Sequence, residues 1–352
     1  MRRSGWVAPV LVLFTTACAG RRAPAPDLAN FRDPGKVEAV DFHGWQAMAL
    51  RNGRVEVVVV PAIGRIMSLA FAGDGGASDP LWRHGQLGPS LPPDENGWIN
   101  FGGDKAWPAP QADWERMVGK GWPPPATFDA RPHTASVVNQ SQLELLSAVD
   151  PAYGMRVRRT VKLQDDLVFV DTAYEKIEGA PVRVAVWTIT QLTSPDRVFA
   201  LLPERSAFAG GHRRLMPAPP KDLRVDGRLL GLARDTAEKT MIGTDADALL
   251  WVGAGRDLVI ETMATDVSSG DQWRPTDAGA PRVGGAHAQI YTSSDGAEPY
   301  VELELLGPLV DLSPGQRAMM QVRYRLIGRV EADPVVEARR VFAKELAGSR
   351  LP

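Results

Sequence analysis

The sequence has 352 residues, 44% of them hydrophobic, so a large core can form. It has 40 basic and 42 acidic residues, and the basic residues are not concentrated in one stretch, which argues against nucleic acid as a partner. Cys18 is the only cysteine, so the chain beyond it can make neither a disulfide nor a thiolate metal site. No HxH or HExxH pair and no Gly-rich phosphate loop occurs, and we expect no metal ion and no cofactor.

The N-terminus has the pattern of a signal peptide. Arg2 and Arg3 precede an apolar run that ends at Phe14 and is too short to span a bilayer. Small residues and then Cys18 follow, and this order resembles the lipobox of bacterial lipoproteins. The resemblance implies a signal peptide over residues 1–17, acylation of Cys18 and a cell-envelope location. Because no Asp follows the cysteine, it implies the periplasmic face of the outer membrane.

The alternative for this segment is an ordinary secretory signal, cut near Ala19, which would discard Cys18. Residues 18–33 contain many Pro, Ala and Arg residues and are predicted to form a flexible tether. Residues 34–352 are predicted to form one domain.

Alternation of apolar and polar residues predicts β-strands through most of this domain. The predicted strands are Val55–Val60, Ile66–Phe71, Ser136–Val149, Met155–Leu163, Leu167–Ile177, Val182–Leu192, Ala248–Val252, Leu258–Met263, Ala288–Thr292, Tyr300–Leu306 and Ala318–Ile327. Long loops are predicted over Asp74–Pro132 and Pro203–Asp235. A C-terminal helix is predicted over Val335–Leu346, with Asp333 as its cap and Pro334 at its first position. Long strands spaced evenly along the chain predict an all-β, mainly antiparallel sandwich with a short C-terminal helix.

Three segments resemble galactose mutarotase-like (aldose 1-epimerase-like) proteins. Residues 51–69 look like the opening hairpin of that superfamily, and residues 300–316 look like its closing segment. The motif Gly-Gly-Asp-Lys-x-Trp-Pro-Ala-Pro-Gln of one subgroup occurs at residues 102–111. The resemblance implies a β-supersandwich with a concave sugar-binding face.

The resemblance also implies a catalytic glutamate on the strand near residue 304. Epimerases of the superfamily use a Glu base and a His acid, because opening a pyranose removes the O1 proton while the ring oxygen is protonated. Glu304 or Glu302 corresponds to that base, and their spacing places both on one face of the strand. The alternative is a pair of solvated carboxylates on an outer face.

The acid histidine of the superfamily is absent from this sequence. In epimerases the histidine belongs to an Asn-His-x-x-x-Asn-Leu motif. Here Trp187 stands in place of that histidine and Gln191 in place of the second Asn, and Phe101 replaces a second histidine of the family. An indole N–H can donate a hydrogen bond but cannot carry a proton between groups near neutral pH. His287 is the best substitute acid if the chain is an enzyme, although a lone histidine is more often structural.

Tryptophan and proline are concentrated between residues 82 and 123. Flat rings suit the C–H faces of a pyranose, and polar residues beside them can meet its hydroxyls. The residues predicted to bind a sugar here are Asp104, Lys105, Trp107, Gln111, Trp114 and Trp122, together with Trp187, Gln191 and Arg65. The alternatives are buried core indoles, an ordinary Asp–Lys turn pair and an exposed hairpin arginine.

These features support three hypotheses. The first is a lipid-anchored extracytoplasmic protein that binds a saccharide, with oligosaccharides or cell-wall glycans as the expected ligands. The second is a sugar epimerase or isomerase that uses Glu304 as base with a non-standard acid. The third is a structural or assembly lipoprotein of the envelope that binds another protein, of a kind the sequence does not name.

Overall fold

Antiparallel strands arranged in two large sheets dominate the computed structural model. It describes residues 35–269, 272–275, 285–294 and 298–347. For 267–269 and 272–275 it describes the backbone but not the side chains. The predicted signal peptide, Cys18 and the tether lie outside the described residues.

The strands in chain order are β1 (Lys36–Phe42), β2 (Trp45–Arg51), β3 (Val55–Val60), β4 (Arg65–Phe71), β5 (Asp104–Ala109), β6 (His133–Asn139), β7 (Gln142–Ser147), β8 (Met155–Gln164), β9 (Leu167–Lys176), β10 (Val182–Thr193), β11 (Arg197–Leu201), β12 (Arg213–Arg214), β13 (Lys221–Asp226), β14 (Leu229–Ala233), β15 (Thr240–Thr244), β16 (Ala248–Gly253), β17 (Arg256–Ser269), β18 (Gln272–Pro275), β19 (Ala288–Thr292), β20 (Tyr300–Leu306), β21 (Val310–Leu312) and β22 (Gln316–Gly328). The helices are α1 (Trp114–Val118), α2 (Ala126–Asp129), α3 (Pro334–Val341) and α4 (Ala343–Ala347), and short 3-10 turns occur at Pro61–Ile63, Gln111–Asp113 and Ala209–Gly211.

Sheet I has the strand order β1-β2-β3-β4-β5-β10-β20-β19-β15-β12, and β21 also pairs with β10. Sheet II has the order β13-β14-β11-β16-β17-β22-β9-β8-β7-β6, with β18 beside β17. The predicted all-β, mainly antiparallel class with a short C-terminal helix is therefore confirmed. In the part of the chain that the structure describes, no helix is long and apolar enough to cross a membrane.

Three predicted elements differ from the structure. The loop predicted over Pro203–Asp235 contains β12, β13 and β14. The strand predicted over Ser136–Val149 is a hairpin of β6 and β7, because Asn139 Oδ1 accepts hydrogen bonds from Ser141 N at 3.0 Å and Ser141 Oγ at 3.2 Å and so forms a turn. The loop predicted over Asp74–Pro132 contains β5. That strand is buried on both faces, so it shows no alternation of polar and apolar residues.

The C-terminal helix begins where the sequence predicts. The Asp333 carboxylate accepts hydrogen bonds from the N–H groups of Val335 and Val336, which satisfies two donors of the first turn. The helix breaks at Phe342, where α4 follows. Ala338 and Phe342 are buried against the outer face of sheet II in an apolar cluster that holds the helix there.

The two glycines that precede β5 are required by close packing. Gly102 and Gly103 have φ of 88° and 72°, in the region that favours glycine. A Cβ on Gly102 would lie 2.2 Å from the Trp82 carbonyl oxygen, and one on Gly103 would lie 2.4 Å from that of Ile66. Gly103 also accepts a 3.0 Å hydrogen bond from Gln191 N. The Gly-Gly turn therefore sets the position of β5 against β10.

Candidate functional site

The register of three neighbouring strands of sheet I brings the central candidate residues together. Ile189 of β10 lies opposite Lys105 of β5 and opposite Glu304 of β20. One step along, Gln191 lies opposite Glu302. Residues opposite one another in an antiparallel sheet point to the same face. Lys105, Gln191, Glu302 and Glu304 therefore share one face of sheet I, which we call the outer face.

Asp104 lies on the other face of sheet I, between the two sheets. Its carboxylate pairs with Arg159, and it accepts hydrogen bonds from Tyr324 Oη at 2.6 Å and Thr190 Oγ1 at 2.9 Å. Successive side chains on a strand point to opposite faces. The sequence interpretation grouped Asp104 with Lys105 as a contact for one sugar. The structure corrects this grouping, since Asp104 belongs to a buried network that links the sheets.

Glu304 lies beside Trp187 on the outer face. The Trp187 indole Nε1–H donates a 2.7 Å hydrogen bond to Glu304 Oε2. The glutamate is buried, with 1% of its surface exposed, which excludes the alternative of a solvated carboxylate. Burial raises the pKa of the Glu304 carboxyl well above its usual range, and the charge of Glu302 raises it further. The surroundings of Glu304 therefore favour its neutral form.

Glu302 has a cationic partner that Glu304 lacks. Lys105 Nζ lies 3.4 Å from Glu302 Oε1, and 13% of the Glu302 side chain is exposed. Burial raises the pKa of Glu302, but the Lys105 ammonium opposes that rise. Two carboxyl groups whose surroundings separate their proton affinities can act as an acid and a base in one site.

Lys105 is itself almost completely buried. Its side chain is 1% exposed, and Nζ lies 4.8 Å from the centre of the Trp107 ring. Burial lowers the pKa of Lys105, and the charge of Arg65 lowers it further, while Glu302 raises it. The alternative of an ordinary surface turn pair is excluded by this burial.

Gln191 lies next to Glu302 and Tyr300, and its side-chain interaction with each of them opposes the rise in pKa that burial causes. The residue is fully buried, yet neither its amide nitrogen nor its amide oxygen has a hydrogen bond of normal geometry among the described residues. Its interactions with Glu302 and Tyr300 satisfy the amide only weakly, and a buried amide left with no partner costs about 1–3 kcal/mol. Such a group on the outer face can bind a ligand that offers both donors and acceptors.

Tryptophan rings cover the end of this face beside Lys105. Ring centroids lie 5.6 Å apart for Trp107 and Trp187, 5.5 Å for Trp107 and Trp114, and 5.9 Å for Trp107 and Trp122. Trp98 lies 4.9 Å from Trp122. Trp114 is fully buried, and Trp122 is the exposed member, at 36%. We call these five residues the tryptophan cluster, and Trp122 is the ring that can meet a ligand from solvent.

Asp129, which the sequence analysis did not select, organises one end of the cluster. Its carboxylate accepts hydrogen bonds from Trp107 Nε1 at 2.9 Å, Trp98 Nε1 at 3.0 Å and Arg65 NH2 at 2.5 Å. Arg65 also donates to the Gly102 carbonyl at 2.8 Å and is fully buried, so the alternative of an exposed hairpin arginine is wrong. No local pattern marks Asp129, because its partners come from three distant segments. Arg65 therefore stabilises the Asp129 carboxylate that accepts hydrogen bonds from the Trp98 and Trp107 indoles.

Two other predicted site residues lie apart from this group. The His287 ring contacts Asp247, with 3.0 Å between Nδ1 and Oδ1, and no described contact joins it to Glu304. Gln111 is exposed, in the 3-10 turn after β5.

Tyr300 and its neighbours form a polar border that the sequence analysis largely missed. The Tyr300 ring lies 4.9 Å from that of Trp82 and 6.0 Å from that of Tyr291. Asn100 Nδ2 donates a 2.5 Å hydrogen bond to Glu298 Oε2, and His84 Nε2 lies 3.6 Å from Glu298 Oε1. Among the described residues, no group of three or more His, Cys, Asp and Glu residues is arranged to hold a metal ion.

Several solved structures share this architecture. A galactose mutarotase-like protein from Lactobacillus casei is 10% identical with a TM-score of 0.55, covering 80% of this chain and all of that one. A galactose mutarotase-like protein from Clostridium acetobutylicum is 8% identical with a TM-score of 0.52, covering 84% of this chain and all of that one. A candidate aldose 1-epimerase from Escherichia coli K12 is 14% identical with a TM-score of 0.53, covering 80% of this chain and 98% of that one.

These similarities define the class of the protein by its fold, since the identities are too low to transfer a function. The chain has a galactose mutarotase-like β-sandwich fold, as the sequence resemblance implied. No protein-family model matches the sequence, and no curated protein sequence matches it.

Proposed function

We propose that the protein binds a saccharide on the outer face of sheet I, around Gln191, Glu304 and the tryptophan cluster. The observation that carries this proposal is the buried Gln191 amide, whose polar atoms the protein leaves without hydrogen bonds of normal geometry. A sugar hydroxyl both donates and accepts, so it can satisfy such an amide where an apolar ligand cannot. The indoles beside it supply flat apolar surfaces for pyranose C–H groups.

The test is the unfolding temperature of the protein against a broad panel of monosaccharides and oligosaccharides. We expect at least one sugar to raise it, since a ligand that binds only the folded state stabilises that state. Gln191→Leu keeps the side-chain size and removes the amide, so the shift should disappear. Gln321→Leu is the matched control, because Gln321 donates a 2.7 Å hydrogen bond to Asp171 in sheet II, away from the site. If no saccharide changes the unfolding temperature, the proposal is wrong and a protein partner becomes the better hypothesis.

The proposal includes the address predicted from the N-terminus, an acyl chain on Cys18 and an extracytoplasmic location. A protein in the envelope meets few phosphorylated hexoses, so oligosaccharides or cell-wall glycans are the ligands that fit this address. Incorporation of labelled palmitate into the wild type, and its loss in Cys18→Ser, would support the anchor. Equal labelling of both proteins, or none in either, would contradict it.

A second candidate function, a sugar isomerase, is favoured by the unequal carboxyl pair. Glu304 is held neutral and can donate a proton, while Glu302 lies against Lys105 and can accept one. In this arrangement Glu304 would take the place of the histidine acid and Glu302 would be the base. The resemblance implies the opposite role for Glu304, that of the base. Polarimetry on freshly dissolved sugars distinguishes this candidate from simple binding. Equal rates for the wild type and Glu304→Gln would reject it.

A further inference from the structure

Lys105 is a buried amine with few interactions for its charge. An ammonium group offers three hydrogen-bond donors. Among the described residues, the hydrogen bond found for Nζ is one long contact of 3.4 Å to Glu302 Oε1, and Nζ also lies 4.8 Å from the centre of the Trp107 ring. Burial of an ammonium against one distant carboxylate is costly, so the Lys105 ammonium gives up its proton more readily than that of an exposed lysine. The neutral amine that results is a nucleophile.

A second buried lysine, Lys176, provides a comparison, because its Nζ contacts the backbone. Lys176 Nζ donates a 2.6 Å hydrogen bond to the Tyr153 carbonyl oxygen, well away from the carboxyl pair. Lys105, in contrast, shares the outer face with Glu304 and Glu302, so its amine has a proton donor and a proton acceptor nearby. Glu302 is the partly exposed residue of that group, with 13% of its side chain exposed.

We propose that Lys105 is a nucleophilic residue that forms an imine with the carbonyl carbon of an open-chain sugar or another small aldehyde. This inference rests on the proposed function, because the aldehyde must reach the saccharide site. It adds a covalent step to that site and assigns Lys105 as the residue that carries it.

The step balances with groups already present. The neutral Nζ attacks the carbonyl carbon and forms a C–N bond, and a proton moves from nitrogen to the carbonyl oxygen to give a carbinolamine. The C–O bond then breaks as Glu304 gives its proton to the leaving hydroxyl, which departs as water. The products are a protonated imine on Lys105, a Glu304 carboxylate and one water molecule. Glu302 takes the proton that the Lys105 ammonium must first release.

The experiment is borohydride trapping on the intact protein, followed by peptide mass spectrometry. The probes are D-glyceraldehyde, which has no ring form, and D-galactose. Reduction fixes an imine as a stable secondary amine, so Lys105 should gain the mass of one sugar less one oxygen atom. Labelling of Lys105 should exceed that of exposed Lys36 and of buried Lys176 several-fold. Methyl galactoside, which has no free carbonyl group, should give no adduct.

The variant and the competitor decide the outcome. Lys105→Arg keeps a positive charge beside Glu302 but cannot form an imine, so it should lose the adduct completely. Should that variant fail to fold, excess methyl galactoside on the wild type serves instead and should suppress labelling at Lys105. Labelling confined to Lys36, or no adduct while sugars still raise the unfolding temperature, would overturn the imine and leave the binding proposal intact. A Lys105 adduct with glyceraldehyde, but no sugar response, would support the nucleophile and reject saccharide binding.

Discussion

Trp187 Nε1 donates a 2.7 Å hydrogen bond to Glu304 Oε2 on the outer face of sheet I. The indole cannot exchange this proton near neutral pH, so it fixes the carboxyl group without titrating itself. The neighbouring side chains of this face whose pKa values are shifted by burial include Glu304, Glu302 and Lys105.

Below pH 4.5, where the glutamate is neutral in both the folded and the unfolded state, Glu304→Gln should change the free energy of unfolding by less than about 1 kcal/mol, since it replaces one neutral group with another and keeps an acceptor for Trp187. Glu304→Leu should cost about 1–3 kcal/mol, because the buried indole N–H loses its acceptor. Urea unfolding of both variants measures the difference. Equal losses for Gln and Leu would contradict the hydrogen bond from Trp187 to Glu304.

The raised pKa of Glu304 also predicts how the stability of the protein depends on pH. Its pKa in the folded protein is raised above the ordinary value of 4.5, so the folded state binds the extra proton. Stability from this group is present below pH 4.5 and is lost as the pH rises towards the folded pKa. The wild type should therefore lose stability relative to Glu304→Gln over that range, and an unchanged difference would argue against it.

Trp122→Ala should weaken saccharide binding about tenfold, which corresponds to about 1.4 kcal/mol for one lost aromatic contact. The ring is 36% exposed at the edge of the tryptophan cluster, so its removal should leave the fold in place. Intrinsic tryptophan fluorescence during sugar titration measures the affinity. Met263→Ala, an exposed apolar residue of sheet II, is the control, and equal affinity losses in both variants would remove Trp122 from the site.

Asp129→Asn should destabilise the protein by about 3–5 kcal/mol, because it leaves the buried Arg65 guanidinium without an anionic partner. The same change also removes one acceptor from the pair of indole N–H groups of Trp98 and Trp107. Urea unfolding measures the loss. Asp226→Asn breaks the exposed pair with Arg339 and should cost less than about 1 kcal/mol. A similar small effect at Asp129 would show that Arg65 finds another partner.

Asp257 and Glu337 form a second buried carboxyl pair, where α3 meets sheet II. Among the described residues, no donor of normal geometry reaches either carboxylate oxygen of Asp257, and its interaction with the Glu337 carboxyl indicates a proton shared between the two groups. Burial and Glu337 raise the pKa of Asp257 to about 8, although Arg329 and Arg340 oppose that rise. Glu337 keeps its charge, since hydrogen bonds from Arg340, Val330 N and Glu331 N lower its pKa to about 2.

Stability from the Asp257 proton is present below its ordinary pKa of 3.8 and is lost as the pH rises through about 8. Asp257→Asn supplies a permanent donor, so its stability should hold between pH 5 and pH 8 while that of the wild type falls. Urea unfolding at the two pH values, with Asp226→Asn as the exposed control, measures this. A parallel decline in Asp257→Asn would contradict the shared proton.

Some features were set by the sequence through short-range pattern. Strand periodicity predicted the all-β sandwich, the spacing of Glu302 and Glu304 predicted their common face, and Asp333 with Pro334 predicted the start of α3. Each depends on residues within a few positions of one another, where backbone geometry alone sets the outcome. The address implied by Cys18 is of the same kind and stays a prediction.

Only the tertiary structure decided which of those residues form a site. It turned Asp104 towards the core and Lys105 to the outer face, and it paired Arg65 with Asp129, 64 positions away. It also placed Trp187 on Glu304, 117 positions away. Such contacts and the burial that shifts proton affinities arise when distant strands become neighbours in a sheet, which local periodicity does not record. The sequence therefore determined the fold class and the chemical groups available, and the packing of β5, β10 and β20 determined which of them act together.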